Sequence, residues 1–252
     1  MLRAVSEATY ERLAALLEPV EDELVGTLAP QPGERLLDLV TGSGGVALRA
    51  ARAGAQVTGI DSTQPIAEKV RRDADAEGLA ITTDVGNVEY LPYDDGSFDV
   101  LVSNFGLVYA LDHANVAAEL GRVARPGGRL GFTAWRPNPK LGELYRRFTD
   151  EPIDGREAYE WGREDHVEDM LGEDFELDFH DGTLWLDASS GEELWDVFST
   201  TSTPVASVLR RLDEDQAEEF HQGFVALYEQ YREGDVIRAP RRYLLVLGRR
   251  RS

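Results

Sequence analysis

The chain has 252 residues, with 47 acidic and 26 basic side chains, a formal net charge of −21 and no cysteine. The composition excludes disulfides, thiolate metal sites and cysteine nucleophiles, and the charge would repel a phosphate backbone, which argues against DNA or RNA as a partner. No apolar run approaches the ~20 residues of a membrane span, and the segment Met1 to Glu7 lacks the apolar stretch of a secretion signal. A cytoplasmic chain without a membrane partner is the expectation. Lys69 and Lys140 are the only lysines among the bases. That bias fits either a GC-rich genome or adaptation to high salt.

In chain order, residues 5 to 28 carry Tyr10, Leu13, Leu16, Leu17, Val20, Leu24, Val25 and Leu28 at helical spacing, interrupted at Pro19. This predicts two helices leading into the turn Pro30-Gln31-Pro32-Gly33. Leu36 to Val40 is a short apolar run that reads as a buried parallel strand. It ends in a loop containing Gly42, Gly44 and Gly45, followed by a helix over Val46 to Arg52 and a strand over Gln56 to Ile60 closed by Asp61. Such a β-α-β unit sets a bare backbone loop at the carboxyl end of the sheet, where open α/β folds bind ligands. Asp61 follows Gly42 by 19 residues, about where these folds place an acid for ribose hydroxyls. The unit therefore reads as a nucleoside site.

The alternation continues with a helix from Gln64 to Glu77 and strands over Ala80 to Asp84 and Phe98 to Ser103. A helix from His113 to Ala124, the turn Pro126-Gly127-Gly128 and a strand from Arg129 to Trp135 follow. Alternating β and α units specify a mostly parallel, doubly wound sheet. After Trp135, Arg136-Pro137-Asn138-Pro139 breaks the pattern. Residues 141–149 and 163–171 read as short helices, Phe175 to Phe179 and Thr183 to Leu186 as strands, and 190–232 as helical with a break at Pro204. Arg242 to Leu247 reads as the last strand. One domain is expected, with N-terminal helices (1–30), a core (31–136), a cover plus one strand (137–239) and the final strand (240–252). The cover either closes over a substrate pocket, or completes the fold, or forms a homodimer contact.

The glycine loop alone does not select the nucleoside, because Gly42-x-Gly44-x-x-Ala47 also fits the loose dinucleotide pattern. Asp38 argues against a pyrophosphate. A carboxylate at the strand-to-loop junction would repel it and would suit a ligand carrying an ammonium group. Downstream come Leu91-Pro92-Tyr93-Asp94-Asp95-Gly96-Ser97-Phe98-Asp99-Val100, then Ser103-Asn104-Phe105, then Arg125-Pro126-Gly127-Gly128-Arg129-Leu130.

With these motifs in this order, the chain resembles the class I S-adenosylmethionine-dependent methyltransferases, in the branch similar to the ubiquinone/menaquinone-biosynthesis enzymes. The resemblance covers roughly residues 30 to 136, with an echo at Tyr243 to Gly248. It implies a seven-stranded, mostly parallel Rossmann-like α/β sheet with a helical cover inserted before the last strand, and S-adenosylmethionine as cofactor. It further implies that Asp38 and the Thr41, Gly42 and Gly44 backbone face the methionine part of the cofactor. Asp61, with Ser62 beside it, would take the ribose hydroxyls. Asn87 and Val88 would border the adenine, and Asn104 with Phe105 would lie near the amino group and the sulfonium. Two positions depart from the family: Val40 stands where a small residue is usual, and Asn87 where Asp is usual.

Methyl transfer from a sulfonium needs mainly proximity and orientation, and a general base only if the acceptor must lose a proton. Of the four histidines, His113 is the candidate base, since it follows the loop after the fourth strand; the alternative is a role at the start of the next helix. His166, His180 and His221 read as structural. Phe105, Tyr109 and Trp135 sit at carboxyl ends of strands, where the methyl must be delivered, and suggest a small apolar or aromatic acceptor bound by Tyr109 and Trp135. A ring face there would also stabilise a sulfonium. No metal site is expected. Two other readings stay open: a non-catalytic S-adenosylmethionine-binding protein, and an NAD-dependent oxidoreductase, which Asp38 and the lack of a Tyr-x-x-x-Lys pair disfavour.

Overall fold

The computed structural model describes residues 7–149 and 157–252. Expectations placed on residues 1–6, on the Tyr10 and Leu13 side chains and on residues 150–156 lie outside the described residues. The first element is a single helix, α1 (Glu7–Leu28), that runs through Pro19 rather than breaking there. A helix-interior proline costs ~3 kcal/mol. Val20, Leu24 and Leu28 form one stripe that is 0–5% exposed, and each such side chain returns ~1.5–3 kcal/mol on burial. One continuous stripe on one surface outweighs the missing hydrogen bond.

The core alternates as its hydrophobic runs dictate: β1 (Arg35–Leu39), α2 (Gly45–Arg52), β2 (Gln56–Asp61), α3 (Gln64–Glu77), β3 (Ile81–Val85) and β4 (Phe98–Asn104). After a 3-10 turn over Leu107–Tyr109 come α4 (His113–Val123), β5 (Ala124–Trp135) and α5 (Pro139–Arg146). A second 3-10 segment (Glu157–Gly162) precedes α6 (Glu164–Leu171), β6 (Phe175–Ala188), α7 (Gly191–Thr201), α8 (Thr203–Leu209) and α9 (Glu214–Glu229). The two-residue strand β7 (Arg232–Glu233) and the long strand β8 (Val236–Arg250) close the chain. The sheet order is β3-β2-β1-β4-β5-β8-β6, with β7 paired to β8 outside this path. Strands β3 to β5 pair parallel, and β8 runs antiparallel to both neighbours. Seven strands form the path, and β7 is the addition.

Sequence reading split β6 into two strands around Asp181-Gly182, a dipeptide with turn chemistry. The structure instead runs one unbroken ladder, from Phe175 opposite Arg250 to Ala188 opposite Ile237. Gly182 is needed inside that ladder because the Tyr243 ring lies across it: a Cβ there would come within 2.1 Å of the ring. Strand β5 pairs with β8 only from Tyr243 to Arg249. The remaining half of the antiparallel β6–β8 pair projects past the sheet and becomes a wall. Leu184, Leu186, Ile237 and Ala239 on that wall share one core cluster with Val20 and Leu24 of α1, Val100 of β4 and Leu194, Phe220 and Phe224 of α7 and α9. A second cluster fills the opposite face, under α4 and α6.

The chain leaves β1 toward β2 on one side, while β4 lies on the other. A crevice opens at such a topological switch point, at the carboxyl ends of β1 and β4. Both strands end there in left-handed backbone without glycine: Val40 has φ 55° and Phe105 has φ 55°. A β-branched residue in this region is an outlier that only its surroundings can enforce. The loops also touch. At Gly106 a Cβ would sit 2.6 Å from the Val40 Cβ and 2.9 Å from the Leu39 carbonyl oxygen.

Candidate functional site

The crevice holds a cavity of about 370 Å³ whose polar side is built by β1, β2 and α1. The glycine loop is pinned by the backbone of the neighbouring strand: the Thr41 amide donates to the Ile60 carbonyl at 3.0 Å. The Gly42 amide donates to Asp61 Oδ2 at 3.1 Å, while Asp61 Oδ1 accepts from the Thr63 amide at 3.2 Å. Asp61 therefore stitches the loop after β1 to the start of α3, and it also lines the cavity. Both readings of Asp61, loop anchor and cavity acid, hold in one geometry. Gly44 does not line the cavity. It supplies a φ of 84° at the start of α2 and packs closely on Val70.

Asp38 is 2% exposed, and its Oδ2 accepts from the Thr41 hydroxyl at 2.6 Å. Its pKa is pushed up to about 7, first by burial, with the nearby carboxylates of Glu21 and Asp61 adding to the shift and hydrogen bonds from Thr41 and the Ala47 backbone opposing it. Glu21 reaches the same cavity from α1. Its carboxyl is also raised, first by burial, with the Arg49 guanidinium at 2.7 Å working the other way. Gly45 makes this approach possible, since a Cβ there would collide with the Glu21 carboxylate. Three buried acids around one cavity, with a single arginine beside them, form a pocket that favours a positively charged ligand.

Glu21 was not found by sequence reasoning, though a signal existed. It lies four residues after Leu17 and three before Leu24, on the apolar stripe of an amphipathic helix. An acid on that stripe has no solvent to point into. Ser62, Thr41, Asn104 and Phe105 also line the cavity. Asn104 and Phe105 are set by one side chain, Thr133, whose hydroxyl donates to Asn104 Oδ1 at 2.7 Å and accepts from the Phe105 amide at 3.0 Å.

Three sequence-selected residues lie elsewhere. Asn87 Oδ1 accepts from the Glu89 amide at 3.0 Å, which closes a local turn, and Val88 is buried in the opposite core cluster. Neither lines the cavity. His113, the expected base, is the first residue of α4, and the cap is Asp112, which accepts from the Asn115 amide. The His113 ring packs 4.8 Å from Trp161 and meets His166 Nε2 through Nδ1 at 2.8 Å. This arrangement holds the ring on the far side of β5, away from both cavities described here.

A second cavity, of about 220 Å³, adjoins the first, and Leu17, Phe105 and Tyr109 line both. Its walls are apolar and aromatic. Trp135 stacks on Phe105 at 3.7 Å with 10° between the rings. The cover helices contribute Phe198 and Thr201 from α7, Pro204 and Val205 from α8, and Phe224 and Tyr228 from α9. Tyr145, Tyr159 and Arg241 complete it. Arg241 was not found from sequence because Arg241-Arg242 reads as an ordinary charged edge. Only the projecting half of the β6–β8 pair turns one of the two inward: Arg241 is 7% exposed, whereas Arg242 reaches outward to Asp181.

Residues 37–132 match a family model described as a methyltransferase domain. An uncharacterised protein of Mycobacterium tuberculosis is 36% identical over 170 residues, covering 65% of this chain and 60% of that relative. A ubiquinone/menaquinone biosynthesis C-methyltransferase of Ruegeria sp. is 37% identical over 131 residues, half of this chain and 52% of that protein. The chain thus spans about 60% or less of the length of these curated relatives. Among solved structures, a putative methyltransferase from Bacillus halodurans aligns over 92% of this chain and 99% of its own with a TM-score of 0.66 at 19% identity. A geranyl diphosphate methyltransferase in complex with SAM aligns over 99% and 96%, with a TM-score of 0.58 at 22% identity. These likenesses agree with the doubly wound, mostly parallel sheet and its flanking helices.

Proposed function

We propose that this chain, which carries a methyltransferase domain over residues 37–132, transfers a methyl group from S-adenosylmethionine to a small-molecule acceptor. The observation that carries this reading is the pair of adjoining cavities. One is polar and acid-lined at the switch point, the other apolar and aromatic, and they meet at Phe105 and Tyr109. The donor set of the first fits the cofactor. Asp38 and Glu21 are carboxyls that burial raises, Asp38 also through the charge of Glu21, and an ammonium or sulfonium placed beside them relieves that cost. Asp61 lines the cavity at the end of β2 and retains lone pairs for ribose hydroxyls.

When bound, S-adenosylmethionine supplies an electrophilic methyl on a sulfonium, open to in-line displacement. The residues contribute positioning. Thr133 fixes Asn104 and Phe105, and the left-handed turns at Val40 and Phe105 hold the two loops against the ligand. The cover helices and the β6–β8 wall exclude water from the acceptor side. His113 has no place in this step. The test is titration calorimetry with S-adenosylhomocysteine. Binding near the micromolar range, about 8 kcal/mol at ~1 μM, is expected. Tight binding of NAD with no response to the sulfur ligand sinks the reading.

A further inference from the structure

Arg241 is a buried guanidinium with no carboxylate partner among the described residues. Its residue is 7% exposed; burial works against its charge, while the tyrosines around it work the other way and leave its pKa raised. The groups that act on it are the hydroxyls of Tyr145, Tyr159 and Tyr228, not a carboxylate. Nη2 donates to the Tyr159 hydroxyl at 3.4 Å, and Nη1 is buried without a hydrogen-bond partner. The guanidinium lies 5.0 Å from the Trp135 ring centroid and 5.7 Å from that of Tyr159. Burial holds the Tyr145 and Tyr228 phenols above their ordinary range, so they are neutral and do not cancel the charge.

Cation–π contact offsets part of the desolvation of a buried guanidinium, and a neutral hydroxyl a little more. Neither meets the cost of burying a full charge, for which proteins ordinarily supply a carboxylate. Elsewhere this chain supplies one readily: Arg49, Arg122, Arg129 and Arg136 each have carboxylate partners. In a protein with a surplus of acids, an arginine buried without one among the described residues, and lining a cavity, is a site held for an anion from outside. The walls around it are apolar, so the rest of the ligand is apolar. A 150 Å³ apolar cavity accommodates benzene, and this one, at about 220 Å³, takes a body somewhat larger.

From these observations we propose that the acceptor is an apolar or aromatic carboxylic acid whose carboxylate pairs with Arg241 while its body lies along Trp135 toward Phe105. This proposal names the substrate class of the site read above as a methyl-acceptor pocket, and it rests on that reading for the word acceptor only. The Phe105 and Trp135 rings stand between Arg241 and the acid-lined cavity. The carboxylate is therefore an anchor, and the methylated atom lies at the other end of the molecule. A guanidinium fork matches a carboxylate in two parallel hydrogen bonds, with its free Nη1 as one donor.

The test uses the full chain with S-adenosylhomocysteine present and two matched pairs of probes, 3-phenylpropanoate with 3-phenylpropanamide and octanoate with octanamide. Ligand-observed NMR titration should show at least one acid binding about tenfold or more tightly than its amide, the effect of one charge-assisted contact. Arg241→Met, which keeps the length and removes the charge, should abolish or reverse that preference. Arg241→Lys should retain a reduced one, which guards against a fold defect in the methionine variant. Equal affinities within both pairs, no binding of either acid at millimolar concentration, or an unchanged preference in Arg241→Met overturns the proposal. Calorimetry of S-adenosylhomocysteine on the same samples separates the two readings: its loss defeats the cofactor assignment, and its persistence with no acid preference defeats only this one.

Discussion

Asp38 shows how a single side chain links burial to ligand choice. Its carboxyl is pushed up to about 7 by burial, with the Glu21 and Asp61 charges adding to the shift. The folded state therefore holds a proton that the unfolded chain, at an ordinary carboxyl pKa, releases near pH 4. Stability of the ligand-free protein must then fall as pH rises from about 4 to about 7, by up to ~1.4 kcal/mol per pH unit from this group, and level off above. The same proton must leave before a cationic ligand can use the carboxylate. Affinity for S-adenosylhomocysteine should rise with pH over that window and plateau near pH 7.5. Calorimetry in buffers of different ionisation heat would show proton release at pH 6 and little at pH 8. Asp38→Asn should bind more weakly and lose most of the pH dependence; an unchanged profile would assign the proton to Glu21, whose pKa is also raised. Asp38 and Asp61 were legible in the sequence because strand ends place them by register. Glu21 and Arg241 were not, since each becomes part of the site only through packing of a distant element.

Elements meet most tightly at the switch point, where the β1 and β4 loops cross. The contact depends on Gly106, whose added Cβ would face the Val40 Cβ, the Ser103 hydroxyl and the Leu39 carbonyl, all under 3 Å. Two of these are held rigidly: Ser103 Oγ donates to the Leu39 carbonyl at 2.8 Å, and Val40 is already in left-handed backbone. Neither loop can yield cheaply. Gly106→Ala is expected to destabilise by about 1–3 kcal/mol, the range for overpacking. It should also weaken S-adenosylhomocysteine binding by forcing the loops apart. Thermal denaturation with and without the ligand checks both. A variant as stable as the parent would mean the loops have slack. At this scale the sequence was informative where hydrophobic periodicity and glycine turns agree, as from β1 to β5. It misled at Pro19 and at Asp181-Gly182, where local chemistry said break and long-range burial or ladder pairing said continue. The cover is the corresponding lesson in packing. Leu194, Phe220 and Phe224 share a core with Leu24 and Val100, so the helices of 191–229 are not a removable lid. Their deletion would expose the sheet face and unfold the chain.

Across the whole molecule the decisive quantity is the charge. Subtracting 26 bases from 47 acids leaves a surplus of 21 negative charges. The ion pairs that do form are mostly half-exposed, as between Arg52 and Glu77 or Arg163 and Asp165, and such pairs contribute little to stability. Salt acts on both terms with opposite signs: it weakens the pairs and it relieves the repulsion among the surplus acids. The pairs are short-range and partly shielded from bulk ions, whereas the repulsion runs over many distances comparable to the Debye length, ~30 Å at 0.01 M and ~10 Å at 0.1 M. Repulsion therefore loses more. The melting temperature should rise with sodium chloride between 0.01 and 0.5 M, and sodium perchlorate at matched low ionic strength should act in the same direction, which separates screening from salting-out. A melting temperature that falls over this range would show that the arginine pairs outweigh the surplus. The same field favours approach of a cation to the acid-lined cavity and opposes that of a carboxylate to Arg241. Added salt should accordingly slow association of S-adenosylmethionine, whose sulfonium leaves it with a net positive charge, and speed that of an acid probe, a divergence in sign that stopped-flow measurements on one protein sample can read directly.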